Sequence, residues 1–122
     1  MNEISVVGYF SEIIISKLNL EIAADSEILL SQSTLSHIKN KHEEEYNLFL
    51  NFMADIITFP DYARVISDAE IRFIKLINNT YVCIPVRKAG DGSFYIRSLF
   101  RLHKKNVERF IKQNLFISLT NG

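Results

Sequence analysis

The chain has 122 residues, 48% of them apolar, with nine Phe, five Tyr and no Trp, which is enough to bury the core of one domain without disulfide or metal staples. Cys83 is its only cysteine, so an intramolecular disulfide is excluded, and the absence of any apolar run near 20 residues or of a signal-like start predicts a soluble, cytoplasmic protein with no membrane contact. The formal charge of zero divides into 4 Lys/Arg against 12 Asp/Glu in residues 1–70 and 10 against 2 in residues 71–122; either the halves neutralise each other across the surface, or the basic half attracts a polyanion.

In chain order, Ile4 to Gly8 reads as a short β-like run, and Phe10 to Leu18 fits a helix or an extended segment equally well. Glu27 to Leu30 predicts a short strand. Ser31, Ser33 and Thr34 offer N-caps to a helix running to about His42. A second helix is expected from Glu43 to Ile57, with Tyr46, Phe49, Leu50, Met53 and Ile57 on one face, until Phe59-Pro60-Asp61 stops it. The apolar period then drops to two. Tyr62 to Ser67, Glu70 to Ile77, Tyr81 to Val86 and Phe94 to Leu102 read as strands, with turn chemistry at Asn78-Asn79 and Gly90-Asp91-Gly92. Short loops imply an antiparallel meander, and Pro85 is tolerated if its missing N–H faces an edge or a bulge. Lys104 to Asn114 predicts a basic helix with Val107, Phe110 and Ile111 inward, and Leu115 to Leu119 a last short strand. The expected fold is α+β: N-terminal helices packed on a four-stranded antiparallel sheet, with a C-terminal basic helix, in a single domain over residues 1–122.

Three polar side chains interrupt apolar stripes in this pattern. His42 follows Leu35 and Ile38, Lys75 sits among Ile71, Phe73 and Ile77, and Ser98 sits among Phe94, Ile96, Phe100 and Leu102. At about 100° per residue from Leu35, Ile38 lies at about 300° and His42 at about 340°, whereas His37 points away at about 200°. Strand alternation turns Lys75 and Ser98 toward the same helix-sheet interface. An unpaired buried polar group costs roughly 1–3 kcal/mol, so each has a local partner or the three converge. Singly, Lys75 could snorkel, Ser98 could bond its own strand, and His42 could cap its helix. Together they offer a proton carrier, a cation and a hydroxyl donor, the requirements for phosphodiester cleavage when RNA supplies its own 2′-OH nucleophile.

The opposite strand face offers Arg97 and Arg101 as phosphate ligands and Tyr95 as a stacking platform. Asp61 could orient His42, although a Pro-Asp after a helix more commonly forms a turn. His103 precedes Lys104-Lys105 at a helix start, which fits a solvated or phosphate-touching role. His37 and His42 lie about 140° apart on a helix, against a chelating pair, and with one Cys and no His-Glu cluster no metal site or cofactor is expected.

The segments Leu35-Ser-His-Ile-Lys-Asn-Lys-His42, Ile57-Thr-Phe-Pro-Asp-Tyr62, Phe73-Ile-Lys75 and Tyr95-Ile-Arg-Ser-Leu-Phe100 occur in an order that resembles a phage-associated branch of the superfamily uniting barnase, EndoU, colicin and RelE-type nucleases. The likeness spans residues 30–117. It implies two helices before a four-stranded antiparallel sheet, and metal-independent RNA cleavage. Carried over by position, the helical histidine is His42 with His37 as its alternate, the strand lysine is Lys75, and the later hydroxyl is Ser98. The expected function is a toxin-like endoribonuclease that leaves a 2′,3′-cyclic phosphate, with Arg97, Arg101, Tyr95, Lys104 and Lys105 holding RNA, tRNA among the candidates. Two alternatives stand beside it. One is a non-catalytic RNA- or protein-binding module of phage origin; the other is a toxin held by an acidic immunity or antitoxin protein.

Overall fold

A computed structural model describes residues 3–120. Their order is β1 (Ile4–Tyr9), α1 (Glu12–Leu18), β2 (Glu27–Ser31), α2 (Gln32–Lys41), α3 (Glu43–Phe49), a 3-10 turn (Leu50–Phe52), α4 (Met53–Thr58), β3 (Tyr62–Ser67), β4 (Glu70–Ile77), β5 (Thr80–Lys88), β6 (Phe94–Ile96), β7 (Phe100–Leu102), α5 (Lys104–Lys112) and β8 (Ile117–Ser118). No helix among them is long and apolar enough to cross a membrane.

Local chemistry explains most boundaries. The segment after Phe10 becomes a helix because Ser11 Oγ accepts the Ile14 N–H at 3.2 Å and Asn19 closes the other end at φ 54°. Ser31 caps α2 in the same way, through the Thr34 N–H. The long helix expected from Glu43 to Ile57 is three shorter pieces instead, because Phe49 and Phe52, at φ −122° and −96°, leave helical geometry. Asn78 and Asn79 take left-handed φ values of 48° and 65°. This two-residue turn matches the twist of the β4–β5 hairpin it joins.

The expected four antiparallel strands form the middle of a larger sheet. Eight strands contribute, in the order β1-β2-β6-β5-β4-β3-β8, and β7 also pairs with β5. The four-stranded expectation is thus corrected: β1 and β2 extend the sheet, and β2 runs parallel to β6. Such a parallel pair needs a long crossover, which α2 to α4 and the intervening strands supply. Gly8 lets β1 lie against α4, since a Cβ there would come 2.6 Å from Ile57 Cδ1.

Cross-strand partners share a face of the sheet. Ala63, Phe73 and Ile84 form one row, and Ile71, Val86 and Ile96 another; these bury against Phe10, Ile14, Ile38, Met53, Ile56 and Ile57 in the main core. On the second face Tyr62, Ile74, Cys83 and Phe100 align. There α5 and the following segment cover one end, with Phe110 against Phe116 and Phe116 against Tyr62.

Pro85 divides the expected strand from Phe94 to Leu102. Its carbonyl accepts the Arg97 N–H at 2.9 Å, so its missing N–H faces the same side. Val86 lies opposite Ile96 and Cys83 opposite Phe100, leaving Arg97, Ser98 and Leu99 against two residues of β5. That is a β-bulge. Each extra residue reverses the inward-outward alternation beyond it.

Candidate active site

The bulge changes where the expected site residues point. Arg101 lies opposite Val82, which lies opposite Lys75, so Arg101 is on the helix-covered face and does not share a face with Arg97. Its Nη2 is 3.1 Å from Glu44 Oε2, and its Nε 3.8 Å from Glu45 Oε2. Lys75 Nζ donates to the Phe59 carbonyl at 2.6 Å, where a cation suits the C-terminal end of α4. Among the described residues Asp61 makes no hydrogen bond or ion pair with His42. Its Oδ2 accepts the Leu76 N–H at 2.8 Å and its N–H donates to Ile74 O at 2.9 Å, so it ties the turn after α4 to β4.

The carboxylate beside His42 is Glu45, with Oε2 4.0 Å from Nδ1. His42 occupies the junction between α2 and α3 rather than a core-facing helical position, and its side chain is 31% exposed. The exposed His37 ring is 6.3 Å away, and the Phe100 ring 6.2 Å. Ser98 is half-buried within the bulge. Among the described residues no hydrogen bond, ion pair or ring contact joins His42, Lys75 and Ser98 to one another, and the fully buried Val82 lies between Lys75 and Arg101.

Away from α5, the second sheet face carries the charge. Ser67, Glu70, Arg87 and Tyr95 form one row, and Arg64, Arg72 and Pro85 form the next, which Arg97 extends through its bond to Pro85. Glu70 Oε2 and Arg72 Nε are 3.0 Å apart. Beside these rows, Arg87, Lys88, Tyr95, Arg97 and the Ser31 end of α2 line a cleft of about 490 Å³ with no acidic side chain in its wall. Among the described residues Arg87, Lys88 and Arg97 make no ion pair. Guanidinium groups can grip phosphate oxygens in pairs, and a tyrosine ring can support a base.

The basic surface continues along α5. Lys104 and Lys105 are exposed at its start, where His103 Nδ1 accepts the Lys105 N–H at 3.3 Å. Arg64 and Arg109 both lie over the Phe110 ring, at 5.2 and 5.1 Å from its centre, a cation–π arrangement that holds two charges beside the sheet. Sequence reasoning found Tyr95 and Arg97 here but missed Arg64, Glu70, Arg72, Arg87 and Lys88. Their signal is the polar half of each alternating strand, which periodicity alone does not distinguish from an ordinary solvated face.

Other titratable groups belong to the scaffold. Burial pushes the Cys83 thiol up to about 12. Burial, followed by the neighbouring Tyr62 and Asp61, raises Tyr81, and the hydrogen bond from the Ser93 N–H lowers Asp91. Among the described residues no three His, Cys, Asp or Glu side chains group closely enough to hold a metal ion.

Comparison with known proteins gives one finding. A family model described as phage-Barnase-EndoU-ColicinE5/D-RelE like nuclease3 matches residues 5–109. No curated protein and no solved structure matches the chain.

Proposed function

The chain belongs to the phage-Barnase-EndoU-ColicinE5/D-RelE like nuclease family, and from that premise we propose that it is a metal-independent endoribonuclease that binds its substrate phosphate on the uncovered part of the sheet. One observation carries this reading: the cleft bearing Arg87, Lys88 and Arg97, three cations without ion-pair partners among the described residues. RNA brings its own nucleophile, so attack of a 2′-OH on the adjacent phosphorus needs charge stabilisation of the phosphorane more than a metal-bound water. The guanidinium groups provide that charge. Tyr95 supports a neighbouring base, Lys104 and Lys105 attract the backbone further along, and the products are a 2′,3′-cyclic phosphate and a free 5′-OH.

In this reading His42, Glu45 and Arg101 form a separate cluster at the helix junction, and Lys75 serves the fold. An acidic immunity or antitoxin protein of a toxin-like nuclease would cover the same basic face.

The test is incubation with tRNA and total cellular RNA in excess chelator, with end-group analysis of the products. Cyclic phosphate ends are expected. Arg87→Ala and Arg97→Ala should each lower cleavage about tenfold or more, since a charge-assisted hydrogen bond contributes roughly 1.5–3 kcal/mol. His42→Ala should retain cleavage. Salt-dependent RNA binding without any cleavage would overturn the proposal in favour of a binding module, and loss of cleavage in His42→Ala alone would move the chemistry to the helix junction.

A further inference from the structure

One edge of the sheet is open to a strand from outside. β1 stands at the end of the strand order and pairs with β2 alone among the described residues, whereas the opposite end is the two-residue β8, too short to offer a template. Ile4, Val6 and Tyr9 are 52, 44 and 51% exposed, and Ser5 is exposed beside them. The usual guards are missing. From Ile4 to Tyr9 the strand carries no charge and no proline, the devices that keep an apolar edge from pairing with another chain.

The register fixes which backbone groups of that edge point outward. The Gln32 N–H donates to the Glu3 carbonyl at 2.8 Å, and Ile4 lies opposite Ser31, Ser5 opposite Leu30 and Val6 opposite Leu29. Antiparallel pairs alternate between bonded and non-bonded, so Glu3 and Ser5 bond to β2 while the N–H and C=O groups of Ile4 and Val6 face away from it. We propose that β1 pairs antiparallel with β1 of a second copy of this chain, about a two-fold axis at Ser5. Ile4 of each copy then exchanges two hydrogen bonds with Val6 of the other, Ser5 meets Ser5, and Glu3, the one charged residue from Glu3 to Tyr9, lies opposite Val7. No like charges oppose each other. Such a contact is self-complementary and closes as a dimer, and the bulge between Val6 and Gly8 ends the ladder and holds it in this register. Val6, Leu29, Tyr95 and Arg87 form one row across the sheet, so the open face of one copy continues into that of the other. The two β6 strands lie five strand spacings apart, about 24 Å, and, resting on the ribonuclease reading above, one RNA strand engages both basic clefts.

Sedimentation of the full chain without RNA tests the pairing, so failure of the dimer and failure of the ribonuclease reading are separate results. The original chain should show twice the 14.1 kDa mass of one copy. Ser5→Lys and Ser5→Glu each set like charges face to face on the axis and should give monomers. An equimolar mixture of the two should regain the dimer, which also shows that both variants fold. Val6→Pro removes an outward N–H and leaves the β2 ladder its bonds, so it too should give monomers. An original chain that stays monomeric at concentrations up to about 1 mM would overturn the inference and leave the edge to a strand of a different protein. Dimers that persist in Ser5→Lys and Ser5→Glu alone would place the contact on another surface, and a mixture that stays monomeric would remove Ser5 from the axis.

Discussion

Cys83 lies at 1% exposure between Ile74 and Phe100 on the second sheet face. Burial raises its thiol from an ordinary 9.0 to about 12, and this has a consequence for stability. A raised group leaves stability intact below the unfolded pKa, near 9, and removes it as pH climbs toward the folded value. Through that window the unfolded chain carries a thiolate that the fold excludes, and stability declines by about 1.4 kcal/mol per pH unit. Tyr81, also raised by burial, acts in the same direction. Denaturant titrations at pH 9 and pH 11 should therefore show the original chain losing about 2 kcal/mol more than Cys83→Ala. Equal losses would show that the thiol ionises within the fold. The apolar run from Tyr81 to Val86 made this burial legible in the sequence. The candidate phosphate-binding residues were less legible, because helix and strand periodicity identifies buried faces, and Arg87 and Arg97 lie on an open one.

At the scale of elements, Lys75 joins two pieces of structure that sequence periodicity had marked separately. It stands on β4 and donates to the last turn of α4, while Asp61 fastens the intervening turn to the same strand through the Leu76 N–H. Lys75→Met retains most of the side-chain stem but leaves the Phe59 carbonyl to solvent. It should lower stability by about 1 kcal/mol and leave RNA cleavage intact, as followed by thermal unfolding and a product assay. Cleavage lost at unchanged stability would restore Lys75 to a catalytic place. The hairpin and most strand boundaries were readable because turn residues and period-two alternation act locally, as Asn78 and Asn79 do. The β2–β6 pair joins residues more than sixty positions apart, and no local signal encodes it. Pro85 is intermediate. Its missing N–H announced an edge or a bulge, but only the register around Arg97 to Leu99 shows that the bulge carries Arg101 to the helical face.

Over the whole molecule, the charge division in the sequence becomes a division in space. Glu43, Glu44 and Glu45 sit on α3, on the helix-covered side, while Arg72, Arg87 and Arg97 lie on the other sheet face. The halves do neutralise each other locally, at Arg101 with Glu44 and Glu45 and at Arg72 with Glu70, but Arg87, Lys88 and Arg97 make no ion pair among the described residues and, in the proposed function, attract the RNA backbone. For single-stranded nucleic acid, each neutralised phosphate contributes about −0.7 to the slope of log affinity against log salt. These three cations alone contribute a slope of about −2, equivalent to roughly a twentyfold loss of affinity between 50 and 200 mM salt, and Lys104 and Lys105 steepen it further. Arg97→Ala should reduce the magnitude of that slope by about 0.7, whereas Arg101→Ala, which removes a charge already engaged by glutamates, should weaken the fold and leave the slope unchanged. Titration of a non-cleavable single-stranded RNA across that salt range measures both. A slope that Arg97→Ala leaves intact and Arg101→Ala diminishes would place the RNA on the helical side of the sheet, next to His42, instead of on its open face.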